Sequence, residues 1–166
     1  MNVRLPIAFA ASVLIGWVRV ADAATDPQEV IFVHMGGNDC PPCVAWRANE
    51  LPKLQASEQF KKIRFAYVVK TVKSPVPAAA FLPAELRPFK DQLDYASGGR
   101  SGSPHEAFIV DGKVYDYWFG VKRADEIEAA VAAILNGTAY PNSRCLKRTG
   151  GGDRSCEVRV PRERES

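Results

Sequence analysis

The 166-residue chain lacks several features that would point to common function classes. Its longest uncharged apolar stretch, Leu5 to Val18, has 14 residues, whereas a helix that crosses a bilayer needs about 20. Neither sign of charge dominates. The 22 Lys and Arg against 19 Asp and Glu leave a net of +3, too small to hold nucleic acid or an anionic membrane electrostatically. Outside the Arg-rich terminal stretch, no run of basic residues is interleaved with aromatics, and no segment repeats. Histidine occurs twice and cysteine four times. One C-x-x-C pair is present, with no second pair and no histidines at metal-ligand spacing, so a structural zinc set is incomplete. The remaining composition, 46% hydrophobic and 25% charged, is that of one ordinary globular domain plus a leader or tail.

The leader is legible. Met1 to Arg4 is a short positive segment, Leu5 to Val18 is apolar, and Ala21-Asp22-Ala23 supplies the small residues of a cleavage site. This is the layout of a secretory signal peptide, with Arg19 as its one departure. The expected organisation is a signal peptide over 1–23, a folded domain over 24–137 and a C-terminal extension over 138–166. Export implies a periplasmic or secreted protein with no stable membrane span once processed. It also favours disulfides among Cys40, Cys43, Cys145 and Cys156. The early and late pairs are far apart, so 40–43 and 145–156 is the natural connectivity, although the sequence leaves the two cross pairings open.

Hydrophobic periodicity gives the element order. Glu29 to Met35 reads as a buried strand that Gly36-Gly37 stops. Asp39-Cys40-Pro41-Pro42-Cys43 then opens a helix, with Pro41 suited to the first turn. That helix is expected to run to about Ser57 and to kink or split at Pro52. Ile63 to Val69 is a second strand, Ser74 to Pro83 a proline-rich loop, and Pro83 to Tyr95 a helix weakened by Pro88. His105 to Val110 and Val114 to Phe119 are strands joined by the hairpin signal Asp111-Gly112. Arg123 to Asn136 is an amphipathic helix with Gly137 as its C-cap. The order β-α-β-α-β-β-α implies an α/β chain with a mixed central sheet and helices on both faces, its first βαβ unit right-handed and parallel.

In this order the chain resembles the thioredoxin superfamily. The residues that carry the resemblance are Cys40-Pro41-Pro42-Cys43 after a strand and opening a helix, Ser103-Pro104-His105 just ahead of a strand and hairpin, and the final amphipathic helix, together about residues 29–136. It implies a thioredoxin-like fold and a cis-proline at Pro104 lying against the cysteine pair. The backbone of Ser103 would remain free to pair with an extended substrate peptide. The chain also departs from the pattern. Asp39 stands where Trp often precedes the first cysteine, and His34 stands where thioredoxins proper carry a buried acid. These departures suggest an exported relative with its own partner.

The implied chemistry is thiol–disulfide exchange, with Cys40 the more exposed nucleophile and Cys43 the shielded resolving thiol. A helix mouth favours thiolate. Here Pro41 and Pro42 remove donors, and Asp39 places negative charge beside the sulfur. The Cys40 thiol is therefore expected only modestly below the free value of ~8.5, which makes the protein a reductant rather than a strong oxidant. His34 and His105 are further candidates for tuning the pair, against a plain structural role for each. The expected partners are protein dithiols or disulfides and an unidentified redox partner, without nucleic acid and without a cofactor. The alternative is a non-catalytic binding protein, or a copper- or zinc-handling protein in which the two thiolates and His34 or His105 hold the ion. Cys145 and Cys156, eleven positions apart, are read as a structural staple rather than a second redox pair.

Overall fold

A computed structural model of the chain describes residues 28–142, 144, 145 and 156. The leader at 1–23 and most of the extension at 138–166 lie outside the described residues. Four strands, β1 (Val30–Gly36), β2 (Arg64–Val69), β3 (His105–Val110) and β4 (Lys113–Phe119), form one sheet in the order β2-β1-β3-β4. β1 pairs parallel with β2 and antiparallel with β3, and β3 pairs antiparallel with β4. Element order and sheet topology are those of a thioredoxin-like α/β fold.

Burial explains why the central strand is so apolar. All seven residues of β1 are buried, because both faces of the sheet are covered. On one face Val30 and Phe32 pack with Trp46 and Leu54, and with Ile127, Val131 and Ile134 of α4 (Ala124–Leu135). On the other, Ile31, Val33 and Met35 pack with Leu82, Leu86 and Leu93. Each such side chain contributes about 1.5–3 kcal/mol of apolar burial. Phe32 is the hub of the first face, with rings of Trp46, Phe60, Phe65, Phe108 and Trp118 around it.

Proline sets two of the helix boundaries. The helix after the cysteines is split into α1 (Pro41–Asn49) and α2 (Leu51–Ala56), broken at Glu50, since Pro52 has no N–H to continue the ladder. The freed Glu50 is used elsewhere: its carboxylate accepts the N–H of Ala124 at 2.8 Å, at the start of α4. The helix expected over 83–95 is corrected. Residues Ala84–Phe89 wind as a 3-10 turn, and the α-helix α3 covers Lys90–Ser97. Pro88 withholds an α-type hydrogen bond and displaces the α-helix beyond itself. A further 3-10 turn, Ala79–Phe81, lies in the segment expected to be loop. The β3–β4 hairpin closes through Asp111 (φ 48°) and Gly112 (φ 77°), both in the left-handed region that an Asp-Gly turn supplies.

Candidate functional site

The cysteine pair sits where β1 gives way to α1. Cys40 is the N-cap, with extended backbone, and its carbonyl accepts the Val44 N–H at 3.0 Å. Pro41 and Pro42 fill the first two helical positions and carry no N–H, which leaves the N–H of Cys43 as the nearest helical donor to the Cys40 sulfur. Cys40 and Cys43 are joined as a disulfide, their Cα atoms 5.3 Å apart. Asp39 is exposed and folds back toward Gly37, where a Cβ would meet its Oδ1 at 2.5 Å. Cys40 is the more exposed of the two cysteines, as expected, but by little. Cys40 is only 3% exposed and Cys43 wholly buried, with the Ser103 carbonyl against the Cys40 sulfur. The exposed surface of the pair is made instead by Pro41 and Pro42.

Ser103 meets both sulfurs. Its carbonyl oxygen lies 3.6 Å from Cys40 Sγ. Its hydroxyl accepts the Gly37 N–H at 3.2 Å and sits 3.3 Å from Cys43 Sγ, so the hydroxyl hydrogen is free to point at that sulfur. The Ser103–Pro104 peptide bond is cis, and Pro104 is buried. The sequence pointed to the backbone of Ser103 and gave no sign of its side chain's role.

What fixes the Ser103 loop is Lys70, which the sequence reading passed over. Its ammonium is buried and donates to the carbonyl oxygens of Ser74 at 2.5 Å, Thr71 at 3.3 Å, and Gly102. The Gly102 N–H is held in turn by the Val72 carbonyl at 2.9 Å. Burial pushes the Lys70 amine down to about 8, since no carboxylate offsets the desolvation. A cavity of about 580 Å³ borders this clasp and the cysteine loop, between Asn38, Asp39, Val69, Val76 and the exposed Phe81.

The two histidines project from opposite faces of the sheet. His34 pairs across the ladder with Glu106, and Met35 with His105, so alternation sends His34 and His105 apart. His105 lies 2.7 Å from the Tyr117 hydroxyl and edge-on to Phe119. Burial, with the charges of Lys70 and Arg100, pushes its imidazole down to about 3. It therefore stays neutral and structural, and the donor set of Cys40, Cys43 and His105 is not assembled. Among the described residues, no cluster of three or more His, Cys, Asp or Glu is arranged to hold a metal ion.

His34 lies on the face of the cysteine helix. It is fully buried and stacked between Trp46 (4.3 Å) and Tyr67 (5.4 Å). Its Nδ1 is 2.8 Å from Glu106 Oε1, and the other Glu106 oxygen accepts the Trp118 indole N–H at 2.7 Å. Burial pushes the Glu106 carboxyl up, against the opposing pull of these partners. The sequence reading missed Glu106. The available signal was one acid in the apolar strand His105–Val110, but its pairing with His34 depends on a register that the sequence does not display. A Cβ on Gly36 would fall 2.8 Å from His34 Nε2 and 2.9 Å from Cys43 Sγ, so the imidazole and the inner sulfur face one another across a glycine.

Among solved structures, an asparagine-to-glutamine mutant of thioredoxin from Halobacterium salinarum NRC-1 is similar over 64% of this chain and 75% of its own, at 15% identity and a TM-score of 0.43. Thioredoxin from Fasciola hepatica is similar over 64% of this chain and 81% of its own, at 18% identity and a TM-score of 0.39. No protein-family model and no curated protein sequence matches the chain. The strand order β2-β1-β3-β4 and the C-x-x-C pair at the β1–α1 junction establish a thioredoxin-like fold.

Proposed function

We propose that the chain is a thiol–disulfide oxidoreductase acting on exported proteins, working as a reductant rather than a strong oxidant. The observation that carries this reading is the cysteine pair at the head of α1, with the Ser103 carbonyl 3.6 Å from the Cys40 sulfur. Cys40 thiolate attacks a client disulfide, forming a Cys40–client bond and releasing one client thiolate. Cys43 thiolate then attacks Cys40, which re-forms the 40–43 disulfide and releases the second client thiolate. The client gains two electrons, and an external donor must return them to the pair. Run backwards, the same steps oxidise a client dithiol.

The reducing direction is supported by the mouth of α1. Two prolines withhold N–H groups that would stabilise a Cys40 thiolate, and no acidic or basic side chain of the first turn replaces them. A poorly stabilised reduced form has a low potential. The leader sequence supports export.

Insulin reduction driven by dithiothreitol tests the exchange, with Cys40→Ser as the control. Catalysis by the parent chain and none by Cys40→Ser is expected; equal behaviour of the two overturns the reading. A midpoint potential near the ~ −120 mV of the strongest oxidants would overturn the direction alone.

A further inference from the structure

Lys70 is a costly residue to keep where it stands. Its side chain is buried, and no carboxylate among the described residues neutralises it. A buried charge without a counter-ion lowers stability in a way that an apolar side chain of similar length does not. What the ammonium does instead is hold backbone. It donates to the carbonyl oxygens of Thr71, Ser74 and Gly102, which uses all three of its hydrogens.

Gly102 is gripped at both of its backbone groups by one short segment. Its N–H goes to the Val72 carbonyl at 2.9 Å, and its carbonyl accepts from Lys70. The chain ahead of Ser103 has little stiffness of its own. Gly98, Gly99 and Gly102 have φ of 60°, 72° and 130°, and glycine loses the most freedom on being fixed. The N–H groups of Gly98, Gly99 and Arg100 all return to residues 94–97, so they close α3 and leave Gly102 unsecured. The main chain of Lys70 meanwhile lies against the other loop. Its N–H donates to the Gly36 carbonyl at 3.3 Å, and a Cβ on Gly37 would fall 3.1 Å from its carbonyl oxygen. One residue thus sets the spacing of two loops that meet at the disulfide: the Gly36-Gly37 approach to Cys40, and the Gly102-Ser103 loop whose Ser103 carbonyl touches the Cys40 sulfur.

We propose that Lys70 is a positioning residue for peptide clients: by fixing Gly102 it presents the Ser103 backbone to a client chain, and so makes the Cys40–Cys43 pair select disulfides carried on polypeptide over small disulfides. This rests on the exchange reading above and deepens it. The ammonium donates to neither sulfur and takes no part in the transfer of electrons. Its partners are all carbonyls, so opening the disulfide breaks none of its bonds. Its contribution is to remove in advance the freedom that the Ser103 loop would otherwise lose when a client strand pairs with it. A small disulfide has no peptide groups to pair and gains nothing from the clasp.

The test compares two neutral disulfides on the reduced protein: a cysteine-linked pair of short end-blocked peptides, and bis(2-hydroxyethyl) disulfide. Closure of the 40–43 bond is timed by acid quench and thiol labelling over a range of concentrations. In Lys70→Ala the half-saturating concentration of the peptide disulfide is expected to rise about tenfold, with its limiting rate, and the rate with the small disulfide, each within about twofold of the parent. Propylammonium replaces the atoms that the alanine lacks, and the cavity that Lys70 lines gives it a way in. It is expected to restore peptide affinity to Lys70→Ala where sodium chloride at the same concentration does not. Equal losses on both disulfides, parent-like values on both, or rescue no greater than that by sodium chloride overturn the proposal. Lys70→Gln, which keeps an N–H donor, carries the same comparison of disulfides if Lys70→Ala does not fold. Failure of the parent to close its disulfide with either compound is a different result: it removes the exchange reading, and this inference with it.

Discussion

Gly36→Ala is the substitution whose cost is set most directly by the geometry. The backbone there is ordinary strand, so the penalty is steric alone. The added methyl would stand 2.8 Å from His34 Nε2, 2.9 Å from Cys43 Sγ and 3.2 Å from Cys43 Cβ. Non-bonded heavy atoms rest at about 3.5–4.0 Å, so the neighbours must each give roughly 0.6 Å or more. Neither gives easily. His34 is clamped by Trp46, Tyr67 and Glu106, and the Cys43 sulfur is tethered to Cys40. Overpacking of this kind costs about 1–3 kcal/mol. Reduction releases the sulfur, which can rotate away, so the penalty should be larger in the disulfide form. Each kcal/mol confined to that form raises the potential of the pair by about 20 mV. Urea denaturation of the oxidised and the reduced variant, with a glutathione titration of the pair, measures both effects. An oxidised Gly36→Ala protein as stable as the parent, with an unchanged potential, would refute the claim that His34 and Cys43 share this space.

Other expectations follow from the same contacts. Trp46→Phe loses the indole donor to the Lys122 carbonyl at 2.9 Å and part of a buried ring, which should cost about 1.5–3 kcal/mol in urea denaturation. Lys70 binds its proton less tightly folded than unfolded, so stability should rise as pH climbs from about 8 to the ordinary lysine value of 10.5. Lys70→Met should flatten that rise, read as the difference between the two melting profiles. His105 shows the matching effect in acid: its imidazole is pushed down to about 3 from 6.5, so stability should fall as pH drops through that window, and His105→Phe should lessen the fall. Replacing Cys145 and Cys156 together by Ser should lower stability by about 3 kcal/mol for a ring of this size while leaving insulin reduction unchanged.

Much of the fold could be read from the sequence because local chemistry decides it. The strand at His105–Val110, the Asp111-Gly112 turn and the break caused by Pro52 all express local rules, and they appear where those rules put them. The segment from Ala79 to Phe89 was less legible. Proline spacing there signals interruption without saying that 3-10 turns will fill it. The site divides the same way. Cys40, Cys43, Ser103 and Pro104 are marked by motif. Lys70, Glu106 and the side-chain role of Ser103 depend on strand register and loop closure, which bring residues 32 to 72 positions apart into contact. The burial of Cys40 was also invisible, because only folding brings the Ser103 carbonyl against its sulfur.

The strand β4 is one rim of the sheet, and a rim presents backbone groups on which another chain can add. Here the Cys156 sulfur lies 3.4 Å from the Tyr115 carbonyl, and the Cys145 N–H is taken by Asp116 at 2.8 Å. The disulfide that joins those two cysteines thus sits against the middle of this rim. Its presence bears on solubility as much as on folding: chains made where this disulfide cannot close would carry an unguarded border and a tendency to stick to one another at high concentration.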